Sequence, residues 1–209
     1  MNNRFNEVFP SFDPHNPKFS PGSRTIDNFY SYFSFYSFSK HSNDQLISHS
    51  HQLDNLAIVS SKDPSYALVF TDASIKNDVA TSITHIHTCN KPVVKTIHYV
   101  VKITSIEAKL FAIRCDINQA TNIQGISKII VITDSIYSAW RIFDISHHLF
   151  QIHSILKELR RFFVQNHGNS IEFWECPSQY NWLLHKVVDN LVQVVQTSTS
   201  VSVQIVLGL

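Results

Sequence analysis

The sequence predicts an α/β fold in which helices cover a mixed sheet, and three observations lead there. Three β-type runs follow one another with short connections between residues 66 and 100. Helix-like and strand-like periods then alternate as far as residue 196. Two of the runs, 66–71 and 128–133, are almost continuously apolar, as in parallel strands buried on both faces.

Each element follows from its own residues. Tyr66-Ala67-Leu68-Val69-Phe70-Thr71 is the first buried strand and leads to Asp72. Residues 79–87 and 94–100 alternate partially, with a turn at Asn90-Lys91-Pro92, so the first three strands form an antiparallel meander. Over 104–121 the spacing becomes helical, with Ile106, Leu110, Ile113 and Ile117 three or four apart. Residues 128–133 form a strand ending at Asp134, and a short helix continues to about residue 143. Ile152, Ile155, Leu159, Phe162 and Phe163 mark an amphipathic helix over 151–165. Ile171-Glu172-Phe173-Trp174 is the fifth strand, and residues 181–196 the last helix.

The chain divides into an irregular Pro/Phe/Ser-rich segment at 1–61, a domain at 62–196 and a tail at 197–209. Pro10, Pro14, Pro17, Pro21 and Gly22 oppose regular structure in the first part. The aromatic and serine residues of 29–38 alternate imperfectly, which suits a strand or a segment packed on the domain. Leu46, Leu53, Leu56 and Ile58 suggest a short helix over 43–61.

Composition sets outer bounds. The 209 residues are 44% hydrophobic and 16% charged, enough to bury one core with an appendage. A formal net charge of +1 gives no bulk electrostatic footprint, so nucleic-acid binding would have to use local patches. Cys89, Cys115 and Cys176 are odd in number and far apart, which reads as reduced thiols, Cys115 inside a helix. The N-terminus lacks an apolar signal core, and no apolar run approaches the ~18 residues of a membrane span. The expectation is an intracellular protein without a membrane partner, with cytoplasm and nucleus both open. His85 with His87, and His147 and His148 with His153, lack the cysteine partners and spacing of a zinc site.

Four carboxylates carry the functional reading. Each has a local role: Asp72 in an Asx turn, Glu107 closing a capping box from Thr104, Asp134 as an N-cap, Asp189 on a solvated helix. Jointly they say more. If the first and fourth strands are parallel neighbours, Asp72 and Asp134 emerge side by side at the edge where open α/β sheets place their sites. Glu107 on a covering helix can lean over the same spot. Converging carboxylates repel unless cations or protons neutralise them, and hard oxygen ligands point to Mg²⁺ and phosphoryl chemistry.

Val69-Phe70-Thr71-Asp72-Ala73-Ser74, Ser105-Ile106-Glu107-Ala108, Val131-Ile132-Thr133-Asp134-Ser135 and Pro177-Ser178-Gln179 followed by Asp189 resemble the successive motifs of type 1 ribonuclease H. Thr71-Asp72-Ala73-Ser74-Ile75-Lys76-Asn77, Phe111-Ala112-Ile113-Arg114-Cys115 and Glu172-Phe173-Trp174-Glu175-Cys176-Pro177-Ser178 are similar to the ribonuclease H segments of fungal retrotransposon polyproteins. The motifs cover residues 66–193, and the narrower likeness begins near residue 21 with a connection-like segment. The resemblance implies a ribonuclease H-like fold: a five-stranded mixed sheet, three antiparallel then two parallel strands, flanked by helices. It implies hydrolysis of the RNA strand of RNA/DNA hybrids by two Mg²⁺ ions, with Mn²⁺ as substitute. Asp72, Glu107, Asp134 and Asp189 would be the catalytic metal ligands, and a reverse transcriptase domain would be the neighbour in a parent polyprotein.

Three departures from the motifs stand out, and the third, Gln179, points to reduced activity. Ala73 stands where Gly is common, and Lys109 follows Glu107-Ala108 where many members carry a second Glu. On a helix Lys109 points away from Glu107, which reads as a surface position able to contact phosphate. Gln179 occupies the place of a loop His and cannot shuttle a proton. His185, one helical turn before Asp189, is the remaining catalytic histidine candidate, a surface position being its ordinary reading. Lys157, Arg160 and Arg161 read as a solvated helix face able to meet phosphates, and Trp174 and Trp182 as core. The rival function is a decayed ribonuclease H-like domain that binds nucleic acid or protein without cutting.

Overall fold

The apolar run beginning at Tyr66 lies within the sheet in a computed structural model of the chain, which describes residues 32–36, 43–77, 79–89, 94–101, 103–142, 150–176, 182 and 190. Its elements are β1 (Phe33–Tyr36), α1 (Asn43–Ser60), β2 (Tyr66–Lys76), β3 (Val79–Thr88), β4 (Val94–Val101), α2 (Ser105–Thr121), β5 (Lys128–Thr133), α3 (Ile136–Arg141), α4 (Phe150–Gln165) and β6 (Ser170–Glu175). The sheet order is β1-β6-β5-β2-β3-β4. β2, β3 and β4 are antiparallel, while β2, β5, β6 and β1 run parallel. Strands β2 to β6 thus have the expected arrangement of three antiparallel and two parallel strands.

Among the described residues the sheet has six strands where five were expected. The sixth, β1, comes from the aromatic and serine run and pairs with β6 from Phe33↔Ile171 to Tyr36↔Trp174. Its alternation explains the docking, because successive side chains point to opposite faces. Phe33 meets Phe163 edge-on, and Phe35 stacks on Phe173 with ring centroids 5.1 Å apart. Tyr36 stacks on Trp174 at 3.9 Å. The strand covers a β6 edge that would otherwise present unpaired backbone groups. The Pro/Phe/Ser-rich stretch at 1–61 therefore supplies the strand and the helix α1 that its aromatic alternation and leucine spacing suggest.

A second difference concerns Asp72, which lies inside β2 and does not end it. Pairing with β5 stops at Thr71↔Thr133, but β3 continues to pair with β2 as far as Lys76↔Val79. Asn77 follows with φ 52°, a left-handed conformation that Asn tolerates in a two-residue hairpin connection.

Among the described residues, the two larger of three buried clusters lie on the central strands. Ala67, Val69, Ile129 and Val131 pack with Leu110 and Ile113 of α2 and Phe162 of α4. The other cluster joins Leu68, Phe70, Ile130 and Ile132 to Leu53 of α1 and Trp182. Each fully buried Val, Leu, Ile or Phe side chain among them contributes roughly 1.5–3 kcal/mol. Trp174 and Trp182 are both buried, as core residues. Their indole N–H groups donate to Glu172 at 2.9 Å and Asp54 at 2.8 Å. Among the described residues, no helix is long and apolar enough to cross a membrane. Asp189, His185, Gln179, His147, His148 and the tail lie outside the described residues.

Candidate functional site

Parallel pairing of β2 with β5 sets the site. The last register pair, Thr71↔Thr133, brings the next residues, Asp72 and Asp134, to the same level of adjacent strands. Both threonines are buried, so the two strands are firmly held beneath the carboxylates. Asp72 Oδ1 accepts the Ala73 amide at 2.7 Å. Asp134 is not the N-cap of α3: Ser135 takes that position, and its amide donates to Thr133 Oγ1 at 3.1 Å.

The group between the carboxylates is Lys109. Its Nζ donates to Asp72 Oδ1 at 2.5 Å and to both oxygens of Asp134 at 2.8 and 2.9 Å. The three side chains are 16%, 13% and 26% exposed, so water screens the cluster only in part. Burial by itself would lower the ammonium's pKa. The charges of Asp72 and Asp134, with hydrogen bonds to both, hold it above the usual lysine value.

This corrects the surface reading of Lys109. The residue does point away from Glu107, but on α2 that direction is toward the sheet. Lys109 precedes Ile113, Asp116 and Ala120 by four, seven and eleven positions, the spacing of one helix face, and all three are buried. The small residues Ala108 and Ala112 pack on Ala73 and Ala80 and bring the start of α2 close to β2. Lys109 stands on the core-facing stripe where the apolar core gives way to the acid pair.

Glu107 does not lean over the site. Its Oε2 accepts from Thr104 N at 2.7 Å and Thr104 Oγ1 at 2.8 Å, while Thr104 Oγ1 accepts the Glu107 amide at 3.3 Å. That reciprocal bonding is a complete capping box, fixing the first turn of α2. Of the four carboxylates, two converge, one caps its own helix, and Asp189 is outside the described residues.

Among the described residues, the arrangement does not fit the pair of divalent ions that the ribonuclease H resemblance implies. Both converging carboxylates are bonded to an ammonium, and Glu107, the acid expected to join them, is engaged in its cap. Among the described residues, no group of three or more His, Cys, Asp or Glu could hold a metal ion.

One buried acid escaped the sequence reading. Asp116 on α2 is fully buried opposite the sheet, and burial pushes its carboxyl up to about 8, tempered by the Thr84 and Thr71 hydroxyls. Thr133, Thr71, Thr84 and Thr96 share one register row, and Thr96 Oγ1 donates to Gln119 Oε1 at 3.1 Å. The signal was available: Asp116 falls among the apolar residues of α2. Cys115 beside it is equally unsuited to chemistry, its thiol pushed up to about 12 by burial and the neighbouring Asp116. His85 Nε2 lies 3.0 Å from His87 Nε2 on β3.

No family model and no curated protein matches this chain. Solved structures similar to it include the protease–reverse transcriptase of prototype foamy virus, at 19% identity and a TM-score of 0.47, covering 67% of this chain and 22% of that one. The chain therefore spans about a fifth of the viral protein's length. Ribonuclease H1 from the halophilic archaeon Halobacterium salinarum is similar at 12% identity and a TM-score of 0.44, covering 62% of this chain and 98% of that one.

Proposed function

We propose that this chain is a ribonuclease H-like domain of retroelement origin that binds RNA/DNA hybrid and, with Lys109 in place, does not cut it. One observation carries the reading: Lys109 is bonded to both Asp72 and Asp134. Hydrolysis by two Mg²⁺ ions requires carboxylates free to bind cations, and here the chain itself supplies the positive charge. Lys109 leaves the group with one net negative charge, which lessens repulsion of a phosphate backbone. Recognition would rest on duplex shape and 2′-hydroxyls, with no base reading needed. Lys157 and Arg160, exposed on α4, are available for phosphate contacts. In a parent polyprotein, a reverse transcriptase domain is the expected neighbour.

A second reading, metal-dependent cleavage of the RNA strand, is favoured by the convergence of Asp72 and Asp134 at the C-terminal edge of β5. The test uses the full chain with end-labelled RNA/DNA hybrid, in Mg²⁺, in Mn²⁺ and in EDTA. Equal hybrid binding in all three, with both strands intact, is the expected result. Cleavage of the RNA strand that disappears in Asp134→Asn would establish the second reading. Absence of hybrid binding by folded protein would remove both.

A further inference from the structure

We infer that Lys109 is the resident cation of this site, and that position 109 of α2, not 107, decides whether the acid pair holds a tethered ammonium or a free divalent ion. The inference rests on the site's location in the reading above, but not on hybrid binding.

The geometry supports it in three steps. The ammonium already sits within 2.9 Å of three carboxylate oxygens on two residues, which is how a bound cation is surrounded. A glutamate at 109 ends about one bond, ~1.5 Å, short of the lysine nitrogen. It would vacate the point where that nitrogen stands and place an oxygen beside it, leaving room nearby for a divalent ion held by all three carboxylates at about 2.0–2.1 Å. Glu107 cannot make this contribution, because its carboxylate closes the Thr104 cap on another face of the helix. Position 109 is therefore the point at which a third carboxylate from α2 would meet Asp72 and Asp134.

The experiment measures Mn²⁺ binding to the full chain by calorimetry and by thermal unfolding, without nucleic acid. Wild type is expected to show neither saturable binding nor a shift in melting temperature. Lys109→Glu is expected to bind Mn²⁺ at least about tenfold more tightly than wild type and to melt several degrees higher in its presence. Adding Asp134→Asn to Lys109→Glu should abolish the gain, whereas adding Glu107→Gln should leave it. If Lys109→Glu is unfolded in EDTA, circular dichroism during Mn²⁺ titration should show it folding. Lys109→Gln, which removes the charge without adding one, should fold and bind Mn²⁺ more weakly than Lys109→Glu but more tightly than wild type. Wild-type Mn²⁺ binding equal to that of Lys109→Glu would overturn the inference, as would loss of the gain on Glu107→Gln. If Lys109→Glu fails to fold even with Mn²⁺, Lys109→Gln decides, and no binding above wild type sinks it. Hybrid binding, measured separately, can fail or succeed independently of these outcomes.

Discussion

Lys109 reaches both oxygens of Asp134, at 2.8 and 2.9 Å, from a position 25 residues earlier in the chain. With Asp72 it forms a three-residue cluster that ties α2 to adjacent strands. Removing the ammonium would leave two carboxylates facing each other with little water. Lys109→Met is expected to destabilise the protein by about 3 kcal/mol, as when one partner of a largely buried ion pair is lost. Adding Asp134→Asn should recover part of that loss, and urea denaturation of both variants measures it. Equal stability of wild type and Lys109→Met would mean that the cluster contributes nothing to folding.

Asp116 should make stability depend on pH. The unfolded chain ionises this group near 3.8 and the folded protein near 8, so the folded state holds the extra proton throughout that window. The Asp116 contribution to stability is then greatest below about pH 4, falls by up to about 1.4 kcal/mol per pH unit as pH rises, and levels off above about pH 8. Asp116→Asn should flatten the dependence, seen in urea midpoints at about pH 5 and pH 8. An unchanged slope in the variant would assign the dependence to other groups.

Glu107 is expected to behave as a structural residue. Thr104→Ala or Glu107→Ala should each cost about 1 kcal/mol through loss of the capping box. Neither should alter hybrid affinity measured by fluorescence anisotropy where both variants are fully folded. A tenfold loss of affinity for Glu107→Ala alone would place its carboxylate in the binding surface after all.

The sixth strand should be energetically coupled to the rest of the sheet. Phe35 stacks on Phe173 and lies against Trp140, with centroids 5.6 Å apart in the second pair. Phe35→Ala is expected to destabilise the whole domain by roughly 2–3 kcal/mol, less than for a fully buried ring. A single cooperative unfolding transition at a lower urea concentration is the predicted observation. A separate early transition, reported by the Tyr36–Trp174 stack, would instead show β1 releasing on its own.

Local patterns were enough to find β2 through β6 and the helices α1, α2, α3 and α4, because apolar period and turn residues are properties of neighbouring positions. The same local rule identified the Thr104–Glu107 capping box, whose partners are three residues apart. The sixth strand was legible only in part: its alternation could be read, but not the β6 edge that receives it.

What tertiary structure alone decided was the meaning of Lys109 and Asp116. Sequence established that Lys109 points away from Glu107, but only the packing of α2 on β2 determines that this direction leads to two carboxylates. Asp72 and Asp134 lie 37 and 25 residues from Lys109 along the chain, and no local period encodes such a meeting. Asp116 likewise acquires its raised pKa only when the sheet excludes water from it. The sequence by itself determined which acids the strands carry to one edge of the sheet. Folding decided which cation meets them there, because electrostatic partners are chosen by distance in space.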